Sequence, residues 1–340
     1  MCHRYPRLFM SRKEDIFMRK QFVGIYAPYL EQYLADKRQL GFKQNTEEVI
    51  LGRFDRFTVE RGEKHVGITA ELSQAWLKEG INLSGSYNYH RVILLNQLAA
   101  FLNERGIGSY VSRLPVFKLD FAPHIYTQAE LQKLFDAADS YRINKGTRQS
   151  MFAMPALLRL LYSTGLRGGE ALALAVKDVN LDDQYLIVRD SKNGQQRAIP
   201  FSDSMATVLK QYACYRDKLP VNLVKADRFF IAPDGRRISR DMISKWFAHL
   251  LSIAGINAGR GVTPHALRHT FSVHSLAMMA ERGTDIYCSL PILSTYLGHK
   301  AIESTNHYVR LVASMFPDLL KDVDRICINV FPNATGYETY

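Results

Sequence analysis

The chain has 340 residues, 47% apolar and 11% aromatic, which exceeds one average domain and excludes a disordered polypeptide. Its net charge of +11 is spread, +5 over residues 1–120 and +6 over the rest, which suits a protein that encloses a polyanion and equally any basic soluble protein. Four dispersed cysteines (Cys2, Cys214, Cys288, Cys327) argue against a disulfide framework or a cysteine zinc site, and with neither a signal segment nor a membrane-length apolar run a cytoplasmic protein is expected.

Residues 1–20 carry Arg4, Arg7, Arg12, Lys13, Arg19 and Lys20 without periodicity and read as a flexible basic arm. Over residues 21–108 apolar side chains return every three to four positions, the period of amphipathic helices. Tyr26, Leu30, Tyr33, Leu34 and Leu40 mark a first helix, and Ile50, Leu51, Phe54 and Phe57 a second. A shorter third starts at Thr69, and Val92, Leu95, Leu98, Ala99 and Leu102 mark a fourth that stops at Gly106. Four such helices make a bundle. Arg53, Arg56, His90 and Arg91 lie on helices whose other faces are apolar, available to a polyanion or simply to solvent.

Residues 109–126 lose the period and contain Pro115 and Pro123, a linker signature. A second domain, residues 127–317, opens on the capping box Thr127-Gln128-Ala129-Glu130 ahead of an apolar helix. A long helix follows in MFAMPALLRLLYSTG. QYLIVRDSKNGQQRAIPF reads as two alternating runs joined at Asn193-Gly194, an antiparallel hairpin, and FFIAPDG as a further strand. Helices dominate from Ser239, one begun by Thr263-Pro264 as cap and first residue. Residues 318–340 are a tail whose apolar end (Ile326, Ile328, Val330, Phe331) would dock on a neighbouring protomer or fold back on its own domain. The expected fold class is mainly α with a small antiparallel β-sheet, in two domains on a hinge.

The residues that carry chemistry are scattered through the second domain: Arg167 in STGLRGGEALAL, Lys192 in SKNG, His265 and Arg268 in HALRH, His299 in YLGHK, and Tyr308. Guanidinium forks pair bidentately with phosphate and keep their charge, each such contact contributing about 1.5–3 kcal/mol. Arg167 closes an apolar helix, and Glu170 three residues on would orient it or merely sit on the helix surface. His265 and Arg268, at i and i+3, share a helical face, so His265 would accept a phenol proton or bond a phosphate. His265 and His269 at i and i+4 also have metal-ligand spacing, but no carboxylate base stands between them and no third ligand is assigned. No metal and no cofactor are expected; buried, hydrogen-bonded imidazoles are the expectation for His269 and His274. A tyrosine with pKa near 10 is about 0.1% phenolate at pH 7, a deficit of roughly 4 kcal/mol that neighbouring cations would offset.

In the order Arg, Lys, His-x-x-Arg, Leu-Gly-His and Tyr, at intervals of 25, 73, 3, 31 and 9 residues, this set resembles the tyrosine recombinase (phage integrase) family. The likeness is strong over about residues 125–315 and weak over about residues 20–110. It implies that Tyr308 attacks a DNA phosphate held by Arg167, Arg268, His265 and His299, while Lys192 protonates the leaving 5′-oxygen. The 3′-phosphotyrosine would conserve the bond energy, so neither ATP nor a metal is needed. It further implies that residues 21–108 bind DNA, that the substrates are double-stranded core sites, and that a homotetramer spans two sites near the nucleoid. It leaves open an accessory directionality protein. The long interval between Arg268 and His299 is similar to that of recombinases carried by mobile elements, which implies integration and excision. A type IB topoisomerase, a chromosome-dimer resolving or inverting recombinase, and a catalytically silent DNA-binding regulator are the alternatives.

Overall fold

In the computed structural model, which describes residues 22–80, 82–116, 123–140, 152–189, 196–221, 227–259, 261–299 and 302–315, the chain divides into two units between residues 120 and 121. The expected basic arm, the turn carrying Lys192 and the expected C-terminal tail lie outside the described residues.

The first unit holds α1 (Ala27–Gln39), α2 (Asn45–Arg61), α3 (Ala70–Glu79) and α4 (Gly85–Asn103). Local chemistry sets the starts: Thr69 Oγ1 accepts from Leu72 N at 3.1 Å and Ser84 Oγ from Tyr87 N at 3.3 Å, each satisfying a first-turn N–H. The expected stripes meet in one core of Tyr26, Leu30, Leu34, Ile50, Leu51, Phe54, Trp76, Leu95 and Leu98. Leu40 does not join it: α1 ends at Gln39, and Leu40 is 71% exposed. Asp55 is buried beneath the entrance to α1 and accepts from Val23 N at 2.6 Å and Gly24 N at 3.0 Å. Arg91 is no surface cation. Its guanidinium lies 3.8 Å above the Trp76 ring and donates to the Trp76 carbonyl at 3.2 Å, which leaves the residue 3% exposed. Arg53 donates to the Tyr87 hydroxyl at 3.0 Å, and His90 faces Glu47 at 3.7 Å.

Both ends of the expected linker are pinned. The Asn96 side chain donates to Ser112 O at 2.8 Å and accepts from Ser112 N at 2.9 Å. Tyr126 is buried in the second unit, and its N–H donates to Thr270 Oγ1 at 3.0 Å.

The second unit comprises α5 (Gln128–Ser140), α6 (Met154–Thr164), α7 (Gly168–Ala173), β1 (Val179–Asn180), β2 (Tyr185–Val188), β3 (Arg197–Pro200), α8 (Asp203–Asp217), α9 (Arg240–Ile253), α10 (Ala266–Glu281), α11 (Ile286–Leu297) and α12 (Glu303–Met315). The capping box forms as expected: Thr127 N donates to Glu130 Oε2 at 2.8 Å, and Glu130 N to Thr127 Oγ1 at 3.2 Å. The sheet is antiparallel in the order β1-β2-β3, with Leu186 opposite Ile199 on the buried face. The expected strand at FFIAPDG is a correction. Phe229 to Ala232 are buried, but they make isolated bridges, Ala175 to Arg228 and Ile231 to Arg237, and the third strand is instead Val179–Asn180. An apolar run satisfied by side-chain burial does not require a full ladder. The start of α10 is also shifted, to Ala266, with His265 at the cap and Thr263 O accepting from Ala266 N at 2.9 Å.

Helix α10 is the spine that positions the site. Its first turn (Ala266, Leu267) joins the core built by α6, the sheet and α9, while Val273 and Leu276 join a second core with Leu290, Leu293 and Leu297 of α11 and Tyr308 and Val312 of α12. No helix among the described residues is long and apolar enough to cross a membrane.

Asp55→Ala strands two backbone donors under α1. The full-length variant is expected to lose about 1–3 kcal/mol against urea, read as a lower midpoint at unchanged slope.

Candidate active site

Arg268, on the first turn of α10, is 2% exposed. Its guanidinium donates to Gly165 O at 2.6 Å and to Leu297 O at 2.9 Å, and meets His299 Nε2 at 2.8 Å. Gly165 caps α6 and Leu297 is the last residue of α11. Two helix C-termini, each with unpaired carbonyls and a partial negative charge, therefore converge on one cation. Both helices stop in the left-handed region, at Gly165 (φ +60°) and Gly298 (φ +68°). Any Cβ there would also collide, with Phe271 at 2.4 Å in the first case and with Arg197 at 2.8 Å in the second. The glycines of STGLR and LGH are thus steric requirements of the same pocket. Burial, then the nearby Arg167, pulls the Arg268 guanidinium down to about 10, and it stays charged at neutral pH.

Arg167 caps α7. Its N–H donates to Glu170 Oε2 at 3.1 Å and its Nη1 to Oε1 at 2.7 Å, with Nη2 3.5 Å from Gly298 O. Glu170 is buried and also accepts from Arg197 Nη2 at 2.8 Å, while Arg197 Nε donates to Tyr296 O at 3.0 Å. Burial would raise the Glu170 carboxyl, but the bond and charge of Arg197, then Arg167, hold it below its ordinary 4.5. Three guanidiniums against one carboxylate leave the pocket positive, as an anion site requires.

His299 follows the Gly298 cap of α11, and its backbone N–H closes on Ser294 O at 3.0 Å. With Nε2 on Arg268, its Nδ1 meets the buried Thr305 hydroxyl at 2.8 Å. Tyr308 on α12 is 1% exposed, and its hydroxyl lies 3.1 Å from His269 Nδ1. Burial raises the phenol above 10 despite the Ser272 hydroxyl and the charge of Arg268. The cations do not ionise it in this state, because the water it loses counts for more than the charges it gains. His265 lies edge-on to His269, ring centres 4.8 Å apart. Burial first, then neighbouring positive groups, depress the imidazoles: His265 falls below 6.5, His269 to about 3 and His299 to about 4.

Arg167, His265, Arg268, His299 and Tyr308 therefore gather at the joined ends of α6, α10, α11 and α12, and Lys192 lies outside the described residues. Of the two partners weighed for His265 from sequence, a phenol proton or a phosphate, the phenol is met in this structure by His269 Nδ1. His274 bonds the Tyr162 hydroxyl at 3.2 Å. Arg197 and Thr305 were not singled out from sequence; the i, i+3 spacing of Thr305 from Tyr308 was the available signal for one, and a lone strand arginine gave none for the other. Among the described residues no three His, Cys, Asp or Glu are grouped to hold a metal.

The model of the phage integrase family matches residues 125–315. The chain belongs to that family. Among its relatives, the integrase/recombinase candidate y4rE of Sinorhizobium fredii is 35% identical over 293 residues, 85% of this chain and 92% of that protein. The tyrosine recombinase XerA of Pyrococcus furiosus is 30% identical over 248 residues, 72% of this chain and 76% of that one. Two solved structures share the fold: the XerH recombinase in its post-cleavage complex (TM-score 0.62, 19% identity, 94% of this chain and 90% of that one) and the Tn1549 transposon integrase with circular intermediate DNA (TM-score 0.61, 18% identity, 82% and 94%).

In this phage integrase family member the buried charges make stability depend on pH in two windows. His269 and His299 have folded values of about 3 and about 4 against an ordinary 6.5. Below pH 6.5 the unfolded chain takes up protons that the folded chain refuses. Stability is full above that pH and is lost as pH falls toward 4, on the order of 1 kcal/mol per histidine by pH 5.5. Urea midpoints at pH 7 and 5.5 check this, and His269→Gln and His299→Gln should each flatten the dependence. Glu170 acts lower: its contribution is complete above about 4.5 and fades below it. Glu170→Gln should cost about 3–5 kcal/mol at pH 7, with the deficit shrinking below pH 4 in the same titration.

Proposed function

We propose that the chain is a site-specific DNA recombinase that cuts and rejoins strands through a covalent 3′-phosphotyrosyl intermediate on Tyr308. The observation that carries this is the buried Arg268 guanidinium, which shares a bond with His299 beside a sequestered phenol, next to the Glu170-braced Arg167. A scissile phosphate would sit against Arg167 and Arg268, whose planar forks meet its non-bridging oxygens. His265 would add a neutral donor, and His299, whose Nε2 accepts from Arg268, would join it once that bond is exchanged for the phosphate. The phenol oxygen forms the new bond to phosphorus, the 5′-oxygen leaves, and Lys192 supplies its proton. Because the phosphotyrosyl ester keeps the energy of the broken diester, the reverse attack by a 5′-hydroxyl reseals DNA without ATP.

At rest the phenol is neutral and 1% exposed, so attack requires a shift of α12 that brings phenol and bound phosphate together. A nucleophile withheld in this way protects DNA from cleavage outside a complete assembly. The assembly in this reading is a homotetramer on two double-stranded core sites, with directionality left to an accessory protein. The first unit would grip the duplex with Arg53 and Arg56. In this reading the reaction is the integration and excision of a mobile element, in line with the words integrase/recombinase in the name of y4rE.

The test uses a nicked duplex selected from a randomised pool by binding to the Tyr308→Phe protein. Wild type should form an adduct that survives denaturant, Tyr308→Phe none, and Arg268→Ala roughly 10²- to 10³-fold less. An adduct on Tyr308→Phe would sink the reading, and relaxation of supercoiled plasmids without any selected site would favour a topoisomerase.

A further inference from the structure

Resting on the phosphotyrosyl reading, we propose that His269 is a catalytic residue of this chain: its Nδ1 takes the phenolic proton as Tyr308 attacks and returns it when the strand is resealed. Four imidazoles border the reacting groups, His265, His269, His299 and His307, and they are not equivalent. Both nitrogens of His299 are engaged, Nε2 by Arg268 at 2.8 Å and Nδ1 by Thr305 at 2.8 Å. The ring of His265 faces His269. Of His265, His269 and His299, only His269 places a nitrogen on the hydroxyl, at 3.1 Å, within the reach a general base requires. In this role the hydroxyl donates to His269, with the lone pair on Nδ1 and the hydrogen on Nε2. His269 also follows Arg268 directly on α10, which puts the proton acceptor one residue from a guanidinium that would hold the phosphate.

The surroundings explain why this base is silent until DNA arrives. His265 and Arg268 from α10, His307 from α12 and His299 from the α11–α12 connection all disfavour a second positive charge, and burial adds to them, so the ring is neutral and weakly basic at rest. A phosphate on Arg167 and Arg268 brings negative charge that offsets this field, and a phenol oxygen becomes more acidic as its bond to phosphorus forms. The step balances. The P–O bond to Tyr308 forms, the P–O bond to the 5′-oxygen breaks, the phenol proton goes to Nδ1, and the leaving oxygen takes a separate proton from Lys192. The reverse step consumes the imidazolium.

The experiment measures single-turnover adduct formation on the selected nicked duplex, with wild type and Tyr308→Phe alongside. If wild type forms no adduct, the recombinase reading fails before this inference is reached. Where wild type reacts, His269→Gln, which keeps a hydrogen-bonding side chain without basicity, should slow cleavage about 10²- to 10⁴-fold, with a deficit that narrows as pH rises. A substrate with sulfur at the 5′-bridging position, whose leaving thiolate needs no acid, should leave the deficit in place. His269→Ala should regain part of its rate on addition of imidazole. Cleavage by His269→Gln at the wild-type rate, a pH profile parallel to wild type, rescue by the bridging sulfur, or no response of His269→Ala to imidazole would overturn the proposal.

Discussion

The second unit is organised around one buried cation. Arg268 places three of its five N–H donors on the terminal carbonyls of two helices and on His299, and a guanidinium taken out of water without such partners would cost several kcal/mol. The requirement propagates outward. Helices α6 and α11 must both stop there, both must stop in a left-handed turn, and both turns must lack a Cβ. Gly298 then delivers His299, and Gly165 is followed two residues later by Arg167. One charge thus fixes where four elements end or begin.

A second buried charge balances the first layer. Glu170 joins Arg167 of α7 to Arg197 of β3, so the sheet is tied to the helical cluster by ionic bonds as well as by apolar packing. The same carboxylate turns Arg167 inward, and the pocket keeps more positive than negative charge. An incoming phosphate would meet guanidiniums already oriented, with little side-chain entropy left to lose.

The phenol of Tyr308 is held in the opposite condition. Tyr308 packs among Val273, Leu297 and Val312, and burial raises its phenol where the surrounding cations would lower it. The depressed imidazoles around it have the same origin, desolvation beside fixed positive charge. In the proposed reaction, a positive pocket beside a buried phenol would bind before it reacts, at the cost of stability in mild acid.

What the sequence determined by itself is what short-range chemistry decides: the four helices of the first unit from their three-to-four spacing, the Thr127 to Glu130 capping box, the β2–β3 pairing, and the residue types gathered at the candidate site. The failures are of a different kind. Leu40 was misjudged because burial depends on where the helix ends, the FFIAPDG run because apolar residues do not show whether a partner strand pairs with them, and Arg91 because a cation on an amphipathic helix gives no sign that it lies over an indole. Only the tertiary structure decided that His269 rather than His265 meets the phenol, that Glu170 is buried between two arginines, and that Arg197 belongs to the pocket. Those facts depend on how α12 and β3 pack against α10 and α7, and contacts between residues tens of positions apart leave no mark on local spacing.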